Sequence, residues 1–350
     1  MNSIGKNFVF TSFGESHGRA IGGVLDGVPA GVRIDLDMIR QALDKRAGRA
    51  SLQPLPEGKG VSPRAVREAD EVEWLSGVVD GVTLGTPIAF IIRNADARSQ
   101  DYDWLKHNFR PGHADQTYQE KYGIRDHRGG GRASARETAS RVVAGSIAQQ
   151  LLSEQNIQIS ARLIQVGTET NPDKFAQYIA DIQQQGDSIG GIVECTIAGL
   201  PVGLGEPIFD KLQSHLAYAM LSINACKGFE YGSGFSGVGL QGSEMYLSND
   251  PQLVSGGIAG GISDGNPIVF RCVFKPTATN RKTLEALHST LNSSPNSPLA
   301  SSPKVGRHDA CVAVRAVAVV EAMTALVLQD FLSLNTKLPF NPLIKRLFFA

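Results

Sequence analysis

The runs Asn7–Phe13, Ala20–Leu25, Thr86–Arg93, Ile192–Ala198 and Ile268–Phe274 read as strands, and in the last Ile268, Phe270, Cys272 and Phe274 alternate with Val269, Arg271 and Val273. The second run ends in Asp26-Gly27-Val28-Pro29-Ala30-Gly31, a turn by composition. A helical period takes over at Asp35–Arg46, where Leu36, Ile39 and Leu43 share one face. Arg46 falls on its last turn, where it suits the negative helix end and can also project towards a ligand. Ala135–Leu152, Phe209–Ser222 and Val312–Leu332 are predicted helices as well. Small residues at Ala139, Ala144 and Ala148 let neighbours approach the first of these, which predicts an interior helix.

Other stretches lack a period. Leu52–Pro63 is rich in proline and glycine and is predicted as a loop. Tyr231–Gly242 and Gly256–Gly265 carry many glycines, which disfavour regular helix and suggest close backbone approach. Residues 288–304, HSTLNSSPNSPLASSPK, have almost no apolar side chains to offset their ordering entropy. They are expected to be mobile unless a ligand holds them. No internal repeat is evident.

Composition narrows the partners. The chain has 350 residues, with 34 Lys plus Arg against 34 Asp plus Glu, so no global charge favours nucleic acid or an anionic membrane. The basic residues are clustered, which suits a small anion. The longest apolar stretch, Val312–Leu328, is broken by Arg315 and Glu321, so no membrane span is expected. The N-terminal residues lack the hydrophobic region of a signal peptide. Cys195, Cys226, Cys272 and Cys311 lie far apart without CxxC spacing, which argues against a zinc site or a disulfide framework. Cys195 and Cys272 are expected in the core, and the cytoplasm is the expected compartment.

The chemistry concentrates in residues 110–141, RPGHADQTYQEKYGIRDHRGGGRASARETASR. Gly129–Gly131 would let backbone N–H groups approach an anion. Ser134 and Glu137 have capping-box spacing, which predicts a positive helix end just after the glycines. Together with the arginines this describes a phosphate or carboxylate site. Gly14-Glu15-Ser16-His17-Gly18 matches the G-x-S-x-G nucleophile elbow of hydrolases. The elbow needs a following helix, whereas the next residues are glycine-rich and strand-like, so a hydrolase is rejected. His17 and His113 both stand in glycine-bounded turns and are candidate acid–base groups. Arg307-His308-Asp309 precedes the last helix; its aspartate could be only a cap, or could orient or accept a proton.

Three motifs, GESHGRAIGGVLDGVP, RPGHAD with GGGRASARETASRV, and GRHDACVAVRAVAVVEAM, resemble those of chorismate synthases, and the likeness extends from the first strand to residue 332. RSQDYDW, GLGEPIFDKL, LSINACKGFE and GGIAGGISDGNPI agree with it. The resemblance implies an α+β fold of two antiparallel sheets sandwiching a layer of helices, as one domain over 1–335 with mobile loops near 47–70 and 280–305. A tail would follow at 336–350. It implies a lyase that removes phosphate from 5-enolpyruvylshikimate 3-phosphate by anti-1,4-elimination to give chorismate. Reduced FMN is implied as an unconsumed cofactor, supplied from outside the chain, and the assembly as a homotetramer.

The resemblance also implies site residues. His17, His113 and Asp309 match the proton-handling groups. Ser16, Arg46, Arg110, Ser134, Arg136 and Arg307 match the substrate contacts. Arg132, Ala133, Ser134, Asn224, Ala225, Gly260, Lys275, Pro276, Thr277, Ala278, Thr279 and Arg307 match the FMN contacts. The chain departs from the family after Arg46, where Leu52 stands at an arginine position with Arg49 nearby, and at Ala310, where proline is common. A flavoprotein oxidoreductase and a non-catalytic flavin- or anion-binding relative are the rival readings. Net redox change in the substrate would mark the first, and binding without turnover the second.

Overall fold

The computed structural model describes residues 1–49, 69–95, 105–106, 108–292 and 309–337. The loop expected at Leu52–Pro63, Arg307, and residues 293–308 and 338–350 lie outside them. In chain order the strands are β1 Ser3–Ile4, β2 Val9–Phe13, β3 Ala20–Asp26, β4 Val72–Ser76, β5 Val78–Val79, β6 Val82–Thr83 and β7 Ile88–Arg93. They continue as β8 Gln158–Val166, β9 Gly191–Ala198, β10 Cys226–Tyr231, β11 Ile258–Ala259, β12 Ile262–Ser263 and β13 Ile268–Phe274. The helices are α1 Leu36–Ala47, α2 Asp115–Tyr122, α3 Thr138–Ser153, α4 Pro172–Gln184, α5 Leu212–Leu221, α6 Gly242–Tyr246, α7 Pro251–Val254, α8 Arg281–Asn292 and α9 Ala313–Lys337.

The fold is α+β, and every described strand pairing is antiparallel. One sheet runs β1-β2-β3-β7-β4 and the other β10-β13-β9-β8. The runs read as strands therefore form these sheets as expected, and β9 and β13 bury alternate residues along their length. Helix α3 packs on β2, β3 and β7, α9 packs on β8 and β9, and the two helices pack on each other. At their crossing a Cβ on Gly145 would fall 2.4 Å from Ala322 Cα. Only glycine admits that approach.

An internal repeat is present, contrary to the sequence reading. The order β2-β3-β7-β4 in one sheet is matched by β8-β9-β13-β10 in the other. The match extends to single bonds. Gly31 N–H donates to Thr83 O at 2.8 Å, and Gly203 N–H to Ser263 O at 3.0 Å. Thr83 Oγ1 donates to Pro29 O, and Ser263 Oγ to Pro201 O, both at 2.6 Å. With the halves aligned, VDGVTLGTPIAF at 79–90 lies over AGGISDGNPIVF at 259–270. The shared glycines and proline are turn residues, too few to stand out before the strands are paired.

Other elements differ from expectation. The helix expected from Ala135 begins with a 3-10 turn, Ala135–Glu137, and becomes α-helical at Thr138. The capping box does not form: Ser134 Oγ accepts from Arg136 N–H at 3.3 Å, while Glu137 pairs with Arg141. Residues 288–292, expected in a mobile stretch, continue α8. Strand β8 and helix α4 were not anticipated. Cys195 and Cys272 are core residues as expected, and all four cysteines are free.

Helix α9 is long and apolar enough over Ala313–Leu334 to cross a membrane by length and composition, but 78% of that window is buried within the fold. Near its end Asp330, itself buried, accepts from the backbone N–H groups of Lys6, Asn7 and Phe8 at 2.7–3.0 Å. One carboxylate thus ties the N-terminal strands to the core. Replacing it with alanine leaves those donors unmatched, and a loss of about 2–3 kcal/mol is expected. A lower urea midpoint at unchanged slope would register it; an unchanged midpoint would show that water replaces the carboxylate.

Candidate active site

A cavity of about 410 Å³ opens where six segments meet: the β2–β3 turn, the Arg110–Ala114 turn, the glycines and 3-10 turns before α3, the start of β10, Lys275–Ala278 after β13, and the approach to α9. Its lining brings together His17, Arg110, His113, Ala133, Ser134, Arg136, Asn224, Ala225, Lys275, Pro276, Thr277, Ala278 and Asp309 from the expected set. These residues span nearly three hundred positions of sequence, from His17 to Asp309. Pairing of the strands gathers them.

His17 stands on the turn between β2 and β3, so the serine motif leads into a strand and not a helix, as its rejection as an elbow required. Asn94 Nδ2 staples the turn by donating to Glu15 O at 3.0 Å and Gly18 O at 2.9 Å. Ser16 is buried beneath the imidazole, its Oγ 3.2 Å from His17 Nδ1. Gly129 was expected to bare its backbone to an anion. Its φ is +66°, and a Cβ there would lie 2.2 Å from His17 Nδ1, so this glycine makes room for the imidazole.

His113 follows Gly112, whose φ of +68° sets the turn, and Lys275 Nζ donates to Gly112 O at 2.8 Å. Arg110 grips Asp115 through Nε at 2.8 Å and Nη2 at 2.7 Å, and also donates to Gly129 O. Burial alone would raise the Asp115 carboxyl, but hydrogen bonds and charge from Arg110 hold it below its ordinary value of 3.8. The stabilisation from this depressed carboxyl is fully present above its unfolded value and is lost as pH falls through the folded one. Asp115→Asn is therefore expected to lower Tm at pH 7, with the gap to wild type closing below about pH 4. A gap that persisted unchanged in acid would remove the ion pair as its cause.

The opposite wall is a network of charges. Asp309, buried, accepts from Arg315 Nη1 at 2.8 Å, and Arg315 Nε donates to Arg46 O at 3.2 Å. Arg136 lines the cavity beside Arg315 and Lys227. Arg46 does not line it: at 1% exposure it lies behind the wall. Arg49 turns back to Asp44 at the end of its own helix. Arg315, Lys227, Asp70, Asn94 and Asp115 were missed as site residues. In the sequence Arg315 is only a break in an apolar run, although an arginine six residues after Asp309 was a usable signal.

A second cavity of about 480 Å³ adjoins the first, sharing Ala133, Asn224, Ala225 and Cys226. Arg132 lines this one and donates to Ser12 Oγ at 2.6 Å. Asn224 Nδ2 donates to Ala133 O at 2.7 Å across the junction. Thr277 Oγ1 and Thr279 Oγ1 are buried without a hydrogen-bond partner among the described residues, and Thr279 lies behind the lining. Gly260 is elsewhere. It sits in the β11–β12 turn before Ile268, whereas Lys275 follows Phe274, so most of β13 separates them, about 20 Å. Its φ of +64° corresponds to +51° at Asp80 in the other half.

The model of the family described as chorismate synthase matches residues 8–333. Chorismate synthase of Flavobacterium psychrophilum is 48% identical, covering 95% of this chain and 98% of its own length. That of Porphyromonas gingivalis is 47% identical over 94% of this chain and 95% of its own. A chorismate synthase crystal structure shares 28% identity and a TM-score of 0.69, over 94% of this chain and 92% of that one. Fold, charged cavity and relatives together define an enzyme, a carbon–oxygen lyase acting on phosphates. The chain belongs to the chorismate synthase family.

Proposed function

We propose that this cavity converts 5-enolpyruvylshikimate 3-phosphate to chorismate and phosphate by anti-1,4-elimination. The observation that carries the reading is the convergence of His17, His113 and Asp309 with Arg110, Arg136, Arg315, Lys227 and Lys275 around one space. The substrate has two carboxylates and a phosphate, roughly four negative charges near neutral pH. The cationic wall matches that charge and orients it. His113 assists departure of phosphate as a proton or hydrogen-bond donor. Asp309, oriented by Arg315, accepts a proton, and His17, braced by Ser16, holds one beside the cofactor. Ser134 supplies a hydroxyl contact, and Arg307 a further cationic one.

The residues present fit reduced FMN. Ala133, Asn224 and Ala225 border both cavities, Arg132 lines one and Lys275–Ala278 the other, and the Thr277 and Thr279 hydroxyls, without a partner among the described residues, lie within and just after that segment. Bound FMN would supply an electron that loosens the C–O bond to phosphate and recover it afterwards, so that none is consumed. We also infer a supply of reduced flavin from outside the chain, a homotetramer, a cytoplasmic location, and one domain over 1–335 in which the two sheets sandwich the helical layer. The contacts of α3 and α9 with opposite sheets support that layering.

The test is an anaerobic assay with chemically reduced FMN, following chorismate and phosphate together. Equal release of both over many turnovers with the flavin still reduced supports the lyase. Stoichiometric flavin oxidation, or tight binding without product, would reject it in favour of an oxidoreductase or a non-catalytic relative respectively.

A further inference from the structure

We propose that Asp70 is a positioning residue that aims Arg136 at the anionic substrate, with Arg46 as the second arm of the same buried clamp; this rests on the functional reading of the cavity above. Asp70 is 5% exposed and has φ +51°, a conformation that costs a non-glycine residue. Its carboxylate divides between two guanidiniums. Oδ2 accepts from Arg46 Nη1 at 3.1 Å, and Oδ1 accepts from Arg136 Nη1.

Each arginine is then fixed elsewhere. Arg136 donates through Nε to Asn94 Oδ1 at 3.0 Å and through Nη2 to Arg93 O at 3.3 Å. Asn94 is also the staple of the His17 turn, so one network sets both the cation and the histidine. Arg46 donates to Thr138 Oγ1 and to Ala135 O, both at 3.0 Å. It thus holds a backbone carbonyl before Arg136 and a side-chain hydroxyl after it. Burial would raise the Asp70 carboxyl, but Arg46, Arg136 and, farther off, Arg315 outweigh this and keep it below its ordinary value.

Two guanidiniums and one carboxylate leave a net positive charge, and Arg136 is the member that lines the cavity. A buried ion cluster is a poor means to stability, because desolvation cancels much of the attraction. What this one provides is a fixed direction for Arg136, which a flexible arginine lacks unless its fork is held.

Asp70→Asn preserves shape but removes the charge. With wild type active, the expected result is a KM for 5-enolpyruvylshikimate 3-phosphate raised about tenfold or more, with kcat within about threefold. FMN affinity is expected to be unchanged. A lower Tm with unchanged KM would reduce Asp70 to a structural residue and overturn the proposal. If the asparagine variant does not fold, Asp70→Glu keeps the charge but displaces the carboxylate by one methylene. It must also raise KM, and an unchanged KM overturns the proposal equally. A wild-type protein without turnover would instead sink the functional reading. In that case a crystal structure of Asp70→Asn, or of Asp70→Glu if the first does not fold, decides the clamp. An Arg136 guanidinium displaced from Asn94 and Arg93 O supports it, and one still in place overturns it.

Discussion

Replacing His113 with alanine is expected to cut chorismate formation by about a hundredfold or more while FMN affinity stays nearly unchanged. The geometry separates the two effects. His113 lines the cavity from the Pro111-Gly112 turn, and that turn is set by backbone features the substitution leaves intact: Gly112 at φ +68° and the His113 N–H to Arg110 O bond at 3.3 Å. The Arg110–Asp115 grip and the Lys275 bond to Gly112 O also persist. Most of the FMN-matched residues come from other segments. The variant therefore keeps the turn and loses the imidazole with the interactions it makes. Turnover under reduced FMN, with a flavin titration in parallel, checks this. Near wild-type turnover would strip His113 of its role, and a matching loss of flavin affinity would make it a cofactor contact.

Gly145→Val is expected to destabilise the protein by about 3 kcal/mol or more, the upper range for overpacking a tight core. Helices α3 and α9 meet at this residue between the sheets they pack against. A Cβ would fall 2.4 Å from both Cα and Cβ of Ala322 and 2.6 Å from its carbonyl oxygen. Those atoms are backbone or fixed to it, so no rotamer relieves the clash and the helices must part. Separation would forfeit contacts along two helices whose facing residues are almost wholly buried. Gly145→Ala should cost less, because alanine's better helix propensity offsets part of the clash by about 1 kcal/mol. Gly239, which has nothing within 4 Å of an added Cβ, is the control: Gly239→Ala should leave the urea midpoint in place. Equal midpoints for Gly145→Val and wild type would mean that the crossing relaxes freely.

Much of the site was legible in the chain. His17 and His113 were marked by the nearby glycines Gly14 and Gly112, because a turn needs residues that tolerate positive φ. Arg110, Arg132, Arg136 and the Lys275–Thr279 segment were named by resemblance, and Arg110, Arg136 and Lys275–Ala278 do line one cavity. Partners distant in sequence were not legible. Arg46 looked able to reach a ligand from a helix end. It is held instead by Asp70, Thr138 and Ala135, and nothing within a few residues of it announces those partners. Gly129 looked like an anion cradle, but the group that fills its space is an imidazole from 112 positions earlier (129 − 17).

Local periodicity is a property of neighbouring residues, so the chain by itself determined the strands β2, β3, β7, β9 and β13 and the helices α1, α3, α5 and α9 to within a few residues. It also determined the family, through motifs long enough to be specific. Only the tertiary structure decided the order of strands, the twofold repeat of β2-β3-β7-β4 in β8-β9-β13-β10, and the clamp of Asp70 on two arginines. Strand order and buried ion pairs are choices among long-range contacts of similar local merit. They are settled by which arrangement buries the apolar faces of α3 and α9 while giving buried charges such as Asp70 and Asp330 their guanidinium or backbone N–H partners.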